Sequence, residues 1–355
     1  QSVFNYDVKL VNPKFTLTSD TLRYNTASKI ANIVGPSNIE GDNNHIYSEL
    51  GFYNTQIGQA ELLNRSVLTN EGKQLVGDSL FYDRNKSFGE AFDNVVFTDT
   101  INKNQLTGNY CYYNEQTKYA IATDSAMVVD YSQGDSLFLH GDTLQLLTFF
   151  LDTDSMYRET RAYHKVRFFR TDIQGVCDSL VFSQKDTCLT MYRDPILWNG
   201  NQQLLGEEVM IYMNDSTIDW AHIHNQTLSV EKLDTTNYNQ VSGKDMKAYF
   251  KDGEMYKVDV IASVRVIYYP MEKDSTLMGM NVMEGGELNM YLENRKLTRG
   301  VMFPQPKGTF YPMDQIPPKA KRLDNFAWFD YIRPRNKQDI FNWRGKSADQ
   351  ILKKS

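Results

Sequence analysis

A recurring pattern constrains the fold of this chain more than any other feature: a small residue, an acid, a hydroxyl residue and an apolar residue. Its clearest copies are Ser19-Asp20-Thr21-Leu22-Arg23-Tyr24, Gly77-Asp78-Ser79-Leu80-Phe81-Tyr82, Gly141-Asp142-Thr143-Leu144 and Cys177-Asp178-Ser179-Leu180-Val181-Phe182. Looser copies begin at Ser48, Gly108, Gly206 and Gly243. The acid position recurs at intervals of 29 to 37 residues. Such a period indicates a repeat architecture whose units stack on their neighbours.

Each repeat has the pattern strand, turn, strand, turn. Clusters of Asn, Asp and Ser, as at 25–28 and 83–86, mark the turns between short apolar runs such as 94–98. Alternation in a strand places Asp78, Leu80 and Tyr82 on one face. We therefore predict an all-β fold, an elongated repeat β-jelly roll or open β-solenoid of about thirty-residue strand-turn-strand units.

The chain divides by composition into a long body and a short tail. Residues 1–316 form one continuous repeat body, and prolines at 304, 306, 312, 317 and 318 mark its end. The tail, 317–355, has 10 basic and 4 acidic residues. We predict short helices at 335–341 and 348–354. Four aromatic residues are expected to pin the tail to the body: Trp328, Phe329, Tyr331 and Trp343.

Charge and hydropathy exclude several classes of protein. The net charge of −6 combines a tail of +6 with a body of −12, which argues against nucleic acid as the ligand. No apolar run approaches the roughly 20 residues of a membrane-spanning helix. The chain starts at Gln1 rather than Met, so we expect a processed chain whose targeting peptide lies outside the sequence given.

Two stretches resemble the OstA-like family, the organic-solvent-tolerance and lipopolysaccharide-transport proteins of Gram-negative envelopes. The first is Gly77-Asp78-Ser79-Leu80-Phe81-Tyr82-Asp83 followed by Asn94-Val95-Val96. The second, with Gly175-Val176-Cys177-Asp178-Ser179-Leu180 and Tyr192-Arg193-Asp194-Pro195-Ile196-Leu197-Trp198, is similar to long OstA-like proteins of the Bacteroidetes type. The resemblance covers roughly residues 5–310.

The resemblance implies a non-catalytic periplasmic protein, associated with the outer or inner membrane, that binds lipopolysaccharide or lipooligosaccharide and contributes to outer-membrane biogenesis. It also implies partners, namely other transport components stacked end to end through edge strands, and self-association. No cofactor is expected. The sequence has more repeats than the short soluble bridge protein of the family and lacks a recognisable outer-membrane barrel.

The inward positions of the repeats are the candidate lipid-binding groove, because acyl chains need an apolar trough. The predicted groove residues are Leu22, Tyr24, Tyr53, Leu80, Tyr82, Tyr113, Leu144, Leu180, Phe182, Val209 and Ile211. The alternative is that these side chains fill a closed core and contact no ligand. A structural or adhesive solenoid without cargo, or a carbohydrate-active enzyme with a carboxylate pair, therefore stays open as a function.

Other candidate sites carry less support. The repeated acid could bind calcium, but without a glycine-rich nonapeptide we expect it to cap turns or mark where strands begin. His222 and His224 share a strand face, yet no neighbouring Cys or carboxylate in the sequence completes a zinc site, so no metal is predicted.

Cys177 and Cys188 are either a pair or buried free thiols. Nothing indicates nucleophilic catalysis. Basic tail residues are expected to contact lipid phosphates or solvent: Lys319, Lys321, Arg322, Arg333, Arg335 and Lys337.

Overall fold

The structure is a computed structural model that describes residues 2–12, 15–41, 44–132, 134–214, 217–294 and 296–346. It confirms the all-β repeat fold, and every strand pairing given between described residues is antiparallel. The chain divides into two compact units, 1–163 and 164–355. The predicted boundary after residue 316 stays a prediction, and the described residues beyond it lie within the second unit.

The first unit contains twelve described strands and the start of a thirteenth. They are β1 (Ser2–Asn12), β2 (Phe15–Asn25), β3 (Ile30–Gly41), β4 (Asn44–Asn54), β5 (Gln59–Asn70), β6 (Lys73–Asp83), β7 (Phe88–Asp99), β8 (Asn104–Asn114), β9 (Tyr119–Thr123), β10 (Met127–Asp130), β11 (Leu137–His140), β12 (Thr143–Phe149) and β13 (Tyr157–Phe169).

The second unit continues the pattern with strands of 4 to 15 residues. They are β14 (Gln174–Ser183), β15 (Cys188–Tyr192), β16 (Ile196–Asn199), β17 (Gln202–Leu205), β18 (Glu208–Asn214), β19 (Thr217–His224), β20 (Thr227–Lys232), β21 (Tyr238–Gly243), β22 (Asp245–Lys251), β23 (Glu254–Tyr268), β24 (Gly279–Glu293), β25 (Lys296–Phe303) and β26 (Lys307–Pro312). Four 3₁₀ turns follow, at Met313–Gln315, Pro318–Lys321, Asp330–Ile332 and Asp339–Phe341. Within the described ranges no helix has the length and apolar character of a membrane span.

The sequence period is the period of a bend in the sheet. At Asp78 the register of β6 shifts in its pairing with both neighbouring strands, β5 and β7. Opposite Asp78, β5 has positive φ at Asn64 and Arg65, and β7 has positive φ at Asp93 and Asn94. Extra residues of this kind form β-bulges, which bend a strand and increase its twist. Each long strand therefore contributes to two arms of the sheet that fold over a shared interior.

Asp20, Asp78 and Asp178 lie inside strands, at these bends, which corrects the expectation that the repeated acids cap turns or begin strands. Asp142 does directly precede a strand, since β12 begins at Thr143. Asp78 in mid-strand accepts hydrogen bonds from Asn94 Nδ2 at 2.6 Å and Arg65 Nη1 at 3.0 Å. These bonds hold the pKa of Asp78 below its usual range. In the second unit Asp178 pairs with Arg193 at 3.2 Å. In both repeats the carboxylate accepts hydrogen bonds from side chains that the bulge turns outward.

The bulge also shifts the alternation of side chains by one residue. Leu75 and Leu80 pack in the same core cluster although five residues separate them. Strict alternation predicts that Asp78 shares the inward face with Leu80 and Tyr82. It does not, and its side chain is 42% exposed. The alternation restarts after the bend, so Leu80 and Tyr82 remain on the inner face.

Successive turns stack along one rim of the first unit. The backbone N–H of Thr55 donates to Lys29 O at 2.9 Å, Arg84 N–H to Gly58 O at 3.0 Å, and Glu115 N–H to Ser87 O at 2.8 Å. Asparagine side chains close the turns, since Asn25 Oδ1 accepts from the N–H groups of Ala27 and Ser28. These bonds keep the turns in register with the 29-residue repeat.

The C-terminal segment packs on one arm of the second unit. Its residues Leu323, Ala327, Phe329 and Ile332 form a core cluster with strand residues that include Trp198. Phe329 is fully buried and Trp328 partly buried, as pinning predicts. Tyr331 and Trp343 are 45% and 47% exposed, but the Trp343 ring still contacts the body, with the guanidinium of the buried Arg167 5.4 Å from its centroid. The helix predicted at 335–341 is only the short 3₁₀ turn Asp339–Phe341. The one predicted at 348–354 lies outside the described residues.

Candidate functional site

The eleven predicted groove positions lie on the inner face. In each unit they form two adjacent rows on the same arm of the sheet. In the first unit, one row holds Leu22, Leu80 and Leu144, and the next holds Tyr24, Tyr53, Tyr82 and Tyr113. In the second unit, the corresponding rows hold Leu180 and Val209, and Phe182 and Ile211. We call the two rows of the first unit the leucine row and the tyrosine row.

In the tyrosine row, large and small side chains alternate. Strand register runs from Tyr24 to Ala31, Tyr53, Ala60, Tyr82, Gly89, Tyr113 and Ala120. Each Tyr thus lies between small neighbours, which leaves space on both sides of its ring. A Cβ added at Gly89 would make ordinary contact with Phe81 O at 3.5 Å and with the ring of Tyr82 at 3.7 Å, so the position has room for a methyl group.

The tyrosines lie near the open rim, and Tyr113 is 41% exposed. Each directly precedes one of the stacked turns, and hydroxyl groups reach toward them: Tyr24 Oη is 3.3 Å from Thr55 Oγ1, and Tyr82 donates to Glu115 at 3.5 Å. Partial burial and the Glu115 charge raise the pKa of Tyr82. These rings offer an apolar face to the interior and a polar end to water.

The leucine row is packed core. Leu22, Leu80 and Leu144 are each no more than 5% exposed, and their neighbour Cys111 has a pKa raised to about 11 by burial. The closed-core alternative therefore describes this row better than ligand contact does. On this arm, solvent reaches the tyrosine row and the rim beyond it, because all four tyrosines are at least partly exposed.

Sequence reasoning missed the opposite arm, which lines the other side of the interior. Its inner row follows the register Leu17, Ile39, Ile46, Leu68, Leu75, Phe97 and Leu106. The two arms approach across the interior, because the rings of Phe15 and Tyr53 meet edge to face with centroids 5.6 Å apart. The alternating apolar residues before each bend were the sequence pattern that could have predicted this second inner row.

The second unit holds an apolar cavity of about 130 Å³ between its arms. Val241 and Val266 line it from one arm, and Leu288, Met290 and Met302 from the other. The pocket is partly open to solvent, and Leu297 at its edge is 41% exposed. Methionine side chains are flexible, so this lining can adapt to an apolar guest.

The arm that carries Val241 and Val266 is covered on its other face by the C-terminal segment. Gln240 and Ile267, the neighbours of those valines in sequence, face that segment, and Gln240 donates to Lys321 O at 2.9 Å. Two basic side chains of the segment make contacts within the protein: Arg322 donates to Thr236 O at 2.7 Å, and Arg333 to Gly200 O at 2.7 Å. Lys319, Arg335 and Lys337 are exposed.

Two further predicted features have definite places. Cys177 and Cys188 are both buried free thiols, and burial raises the pKa of Cys177. His222 and His224 lie on one face of β19, as expected, and the fold brings Asp245 of β22 to both of them. No local pattern marks this carboxylate, because it lies 23 and 21 residues from the two histidines along the chain.

Comparison with known proteins supports the resemblance seen in the sequence. Residues 37–130, all within the first unit, match the family model described as OstA-like protein. One similar solved structure is LptH, the LptA homologous periplasmic component of the conserved lipopolysaccharide transport device from Pseudomonas aeruginosa. It is 14% identical, covers 34% of this chain and 82% of that chain, and has a TM-score of 0.28. No curated protein matches. The family match is thus the finding that bears on function.

Proposed function

We propose, starting from the OstA-like segment at residues 37–130, that this protein is a non-catalytic component of lipopolysaccharide transport in the periplasm. It holds the acyl chains of lipopolysaccharide or lipooligosaccharide in the interior between the two arms. The observation that carries the proposal is the position of the tyrosine row: Tyr53, Tyr82 and Tyr113 all lie inside the matched segment.

The energetics favour such a trough. Burying a methylene group stabilises by about 0.8 kcal/mol, so an acyl chain of about twelve carbons gains roughly 10 kcal/mol. The spaces at Ala60 and Gly89, between successive tyrosines, give a chain room to lie against the rings. The cargo needs no covalent step, so it moves passively along the row.

The rim beside the tyrosine row suits the polar part of the cargo. Lys29, Arg84 and Lys86 lie in the stacked turns, two to five residues beyond the tyrosines. Their cationic groups are placed to meet phosphates while the acyl chains remain inside. Sugars and phosphates then stay in water, as their solvation requires.

Edge strands provide the proposed contacts with other transport components. β1 pairs with β2 and exposes apolar side chains at Val3, Phe4 and Val11, which are 48–70% exposed. A strand with free backbone groups can pair with the edge of another sheet. We propose that transport components, or a second copy of this chain, add to this edge and extend the trough.

Site-specific photo-crosslinking tests the cargo assignment. A photoreactive phenylalanine analogue replaces Tyr82 or Tyr113 on the inner face, and Asn85 in the neighbouring turn as an outward control. With purified lipopolysaccharide, adducts are expected at 82 and 113 and not at 85. A folded protein that gives no adduct at either tyrosine position refutes the proposal and favours a sealed structural roll.

A further inference from the structure

The outer face of the second unit carries a cluster of metal-binding side chains that the lipid trough does not use. In β19, Ala221 and Ile223 are buried toward the interior, so His222 and His224 project from the opposite face. β22 pairs with β19 and supplies Asp245 at the end of that ladder. The cluster thus lies on the other side of the sheet from the predicted groove residues.

We propose that His222, His224 and Asp245 bind a divalent transition-metal ion, with Zn²⁺ the best fit. One ligand atom from each residue lies within 4.8 Å of the others. Asp245 Oδ1 is 3.2 Å from His222 Nε2 and 2.6 Å from His224 Nδ1. Ligand atoms about 2.0–2.2 Å from a tetrahedral zinc ion lie about 3.4 Å apart, so small side-chain rotations suffice.

Asp245 is not needed to hold the bend of the strand, unlike the repeated acids. The bend position in this repeat is Lys244, whose backbone N–H donates to Ile261 O and Ala262 O at 3.0 and 2.9 Å. The equivalent of Asp245 in the clearest repeats is a hydroxyl residue: Thr21, Ser79, Thr143 and Ser179. The looser copy at Gly206 also has a carboxylate at this position, Glu208, so what distinguishes Asp245 is its contact with two imidazoles.

The chemistry of the three groups selects the kind of ion. Two imidazoles with one carboxylate suit zinc and copper, whereas calcium and magnesium prefer oxygen ligands alone. The side chains of His222, His224 and Asp245 are 20%, 41% and 18% exposed, so water can occupy a fourth position. The nearest charged residues in register are Glu208 opposite His224 and Lys247 opposite His222. Their charges offset each other.

The surroundings also orient the ligands. The ring of Trp220 lies 6.3 Å from that of His222, and the rings of His222 and His224 meet at 5.6 Å. Asp245 in addition accepts a hydrogen bond from the backbone N–H of Asn225. Such supporting contacts fix side chains before the ion arrives and reduce the entropy lost on binding.

Calorimetric titration of the untagged, chelator-treated full chain with Zn²⁺ tests this site. One ion per chain is expected, and His222→Gln, His224→Gln and Asp245→Asn should each weaken its binding tenfold or more. His45→Gln, a histidine of the first unit bonded to Asn38, is the matched control and should bind as the wild type does. Equal binding by wild type and the three site variants overturns the proposal.

A second measurement keeps the test valid if a site variant is less stable. Zn²⁺ should raise the melting temperature of the wild type and of His45→Gln, because an ion that binds only the folded state stabilises it. The rise should be absent in the doubly substituted chain His222→Gln/His224→Gln. A rise of the same size in that double variant would show that the ion binds elsewhere, and would overturn the assignment.

Discussion

Gln203 shows how one buried polar side chain directs a whole segment. It is fully buried, donates to Ala327 O at 2.9 Å, and accepts from Phe329 N–H at 2.7 Å and Trp198 Nε1–H at 3.2 Å. Its amide therefore satisfies backbone groups of the C-terminal segment that would otherwise be buried without partners. Gln240 repeats the arrangement with Lys321 and Leu323.

Gln203→Leu should destabilise the protein by about 3 kcal/mol or more, because three buried polar groups lose their partner. Chemical denaturation measures the free energy of unfolding, and limited proteolysis reports whether residues 317–346 detach. The neighbouring substitution Gln202→Leu, at an exposed position of the same strand, is the control and should change the stability little. Equal stability of the two variants would contradict this role for Gln203.

The composition and aromatic residues of the tail predicted a distinct segment that packs on the body, but not the hydrogen bonds that fix its position. Bonds from Gln203 and Gln240 join residues more than 80 positions apart, and no local pattern marks them. The same holds for Asp245, whose histidine partners were recognised in the sequence while the carboxylate was not. Contacts of this kind depend on which strands the fold places side by side.

At the level of elements, the bulge accounts for the repeat. Residues with positive φ at successive bends, among them Asn64, Asp93 and Asp124, let each strand turn from one arm into the other. Asn and Asp tolerate this conformation better than other residues with side chains do. The acid on the facing strand then receives the side chains that point outward.

Asn94→Val should be less stable than Asn94→Gly by about 1 kcal/mol. Both substitutions remove the bond to Asp78, but only valine has a β-branched side chain that opposes the φ of +49° at this position. Thermal or urea unfolding of the two variants isolates the backbone term. If valine is as stable as glycine, the bend does not require a left-handed residue here.

The bend also explains which part of the fold the sequence predicted. Spacing and turn residues predicted the strands and hairpins, because both follow local preferences repeated at a constant interval. Strict alternation failed at Asp78, since one extra residue exchanges the two faces of the strand. The groove positions after the bend kept their inward orientation, whereas the inner row before it, with Leu75 and Phe97, was overlooked.

At the scale of the molecule, a packed row of side chains lies beside an accessible one on the inner face. The leucine row is closed core, and its substitution would test stability alone. The tyrosine row, open at the rim and spaced by Ala31, Ala60, Gly89 and Ala120, is where cargo would bind. Under the proposed function, lipopolysaccharide binding therefore depends on the small residues as much as on the tyrosines.

The most direct test of the proposed function is to fill one of those spaces and measure lipopolysaccharide binding. Ala60→Trp places a large ring between Tyr53 and Tyr82 on the inner face, whereas Glu61→Trp adds the same ring on the outer face. We predict that Ala60→Trp weakens binding at least tenfold, that Glu61→Trp binds as the wild type does, and that deacylated lipopolysaccharide binds to none of them. Unchanged binding by a folded Ala60→Trp variant would contradict the account.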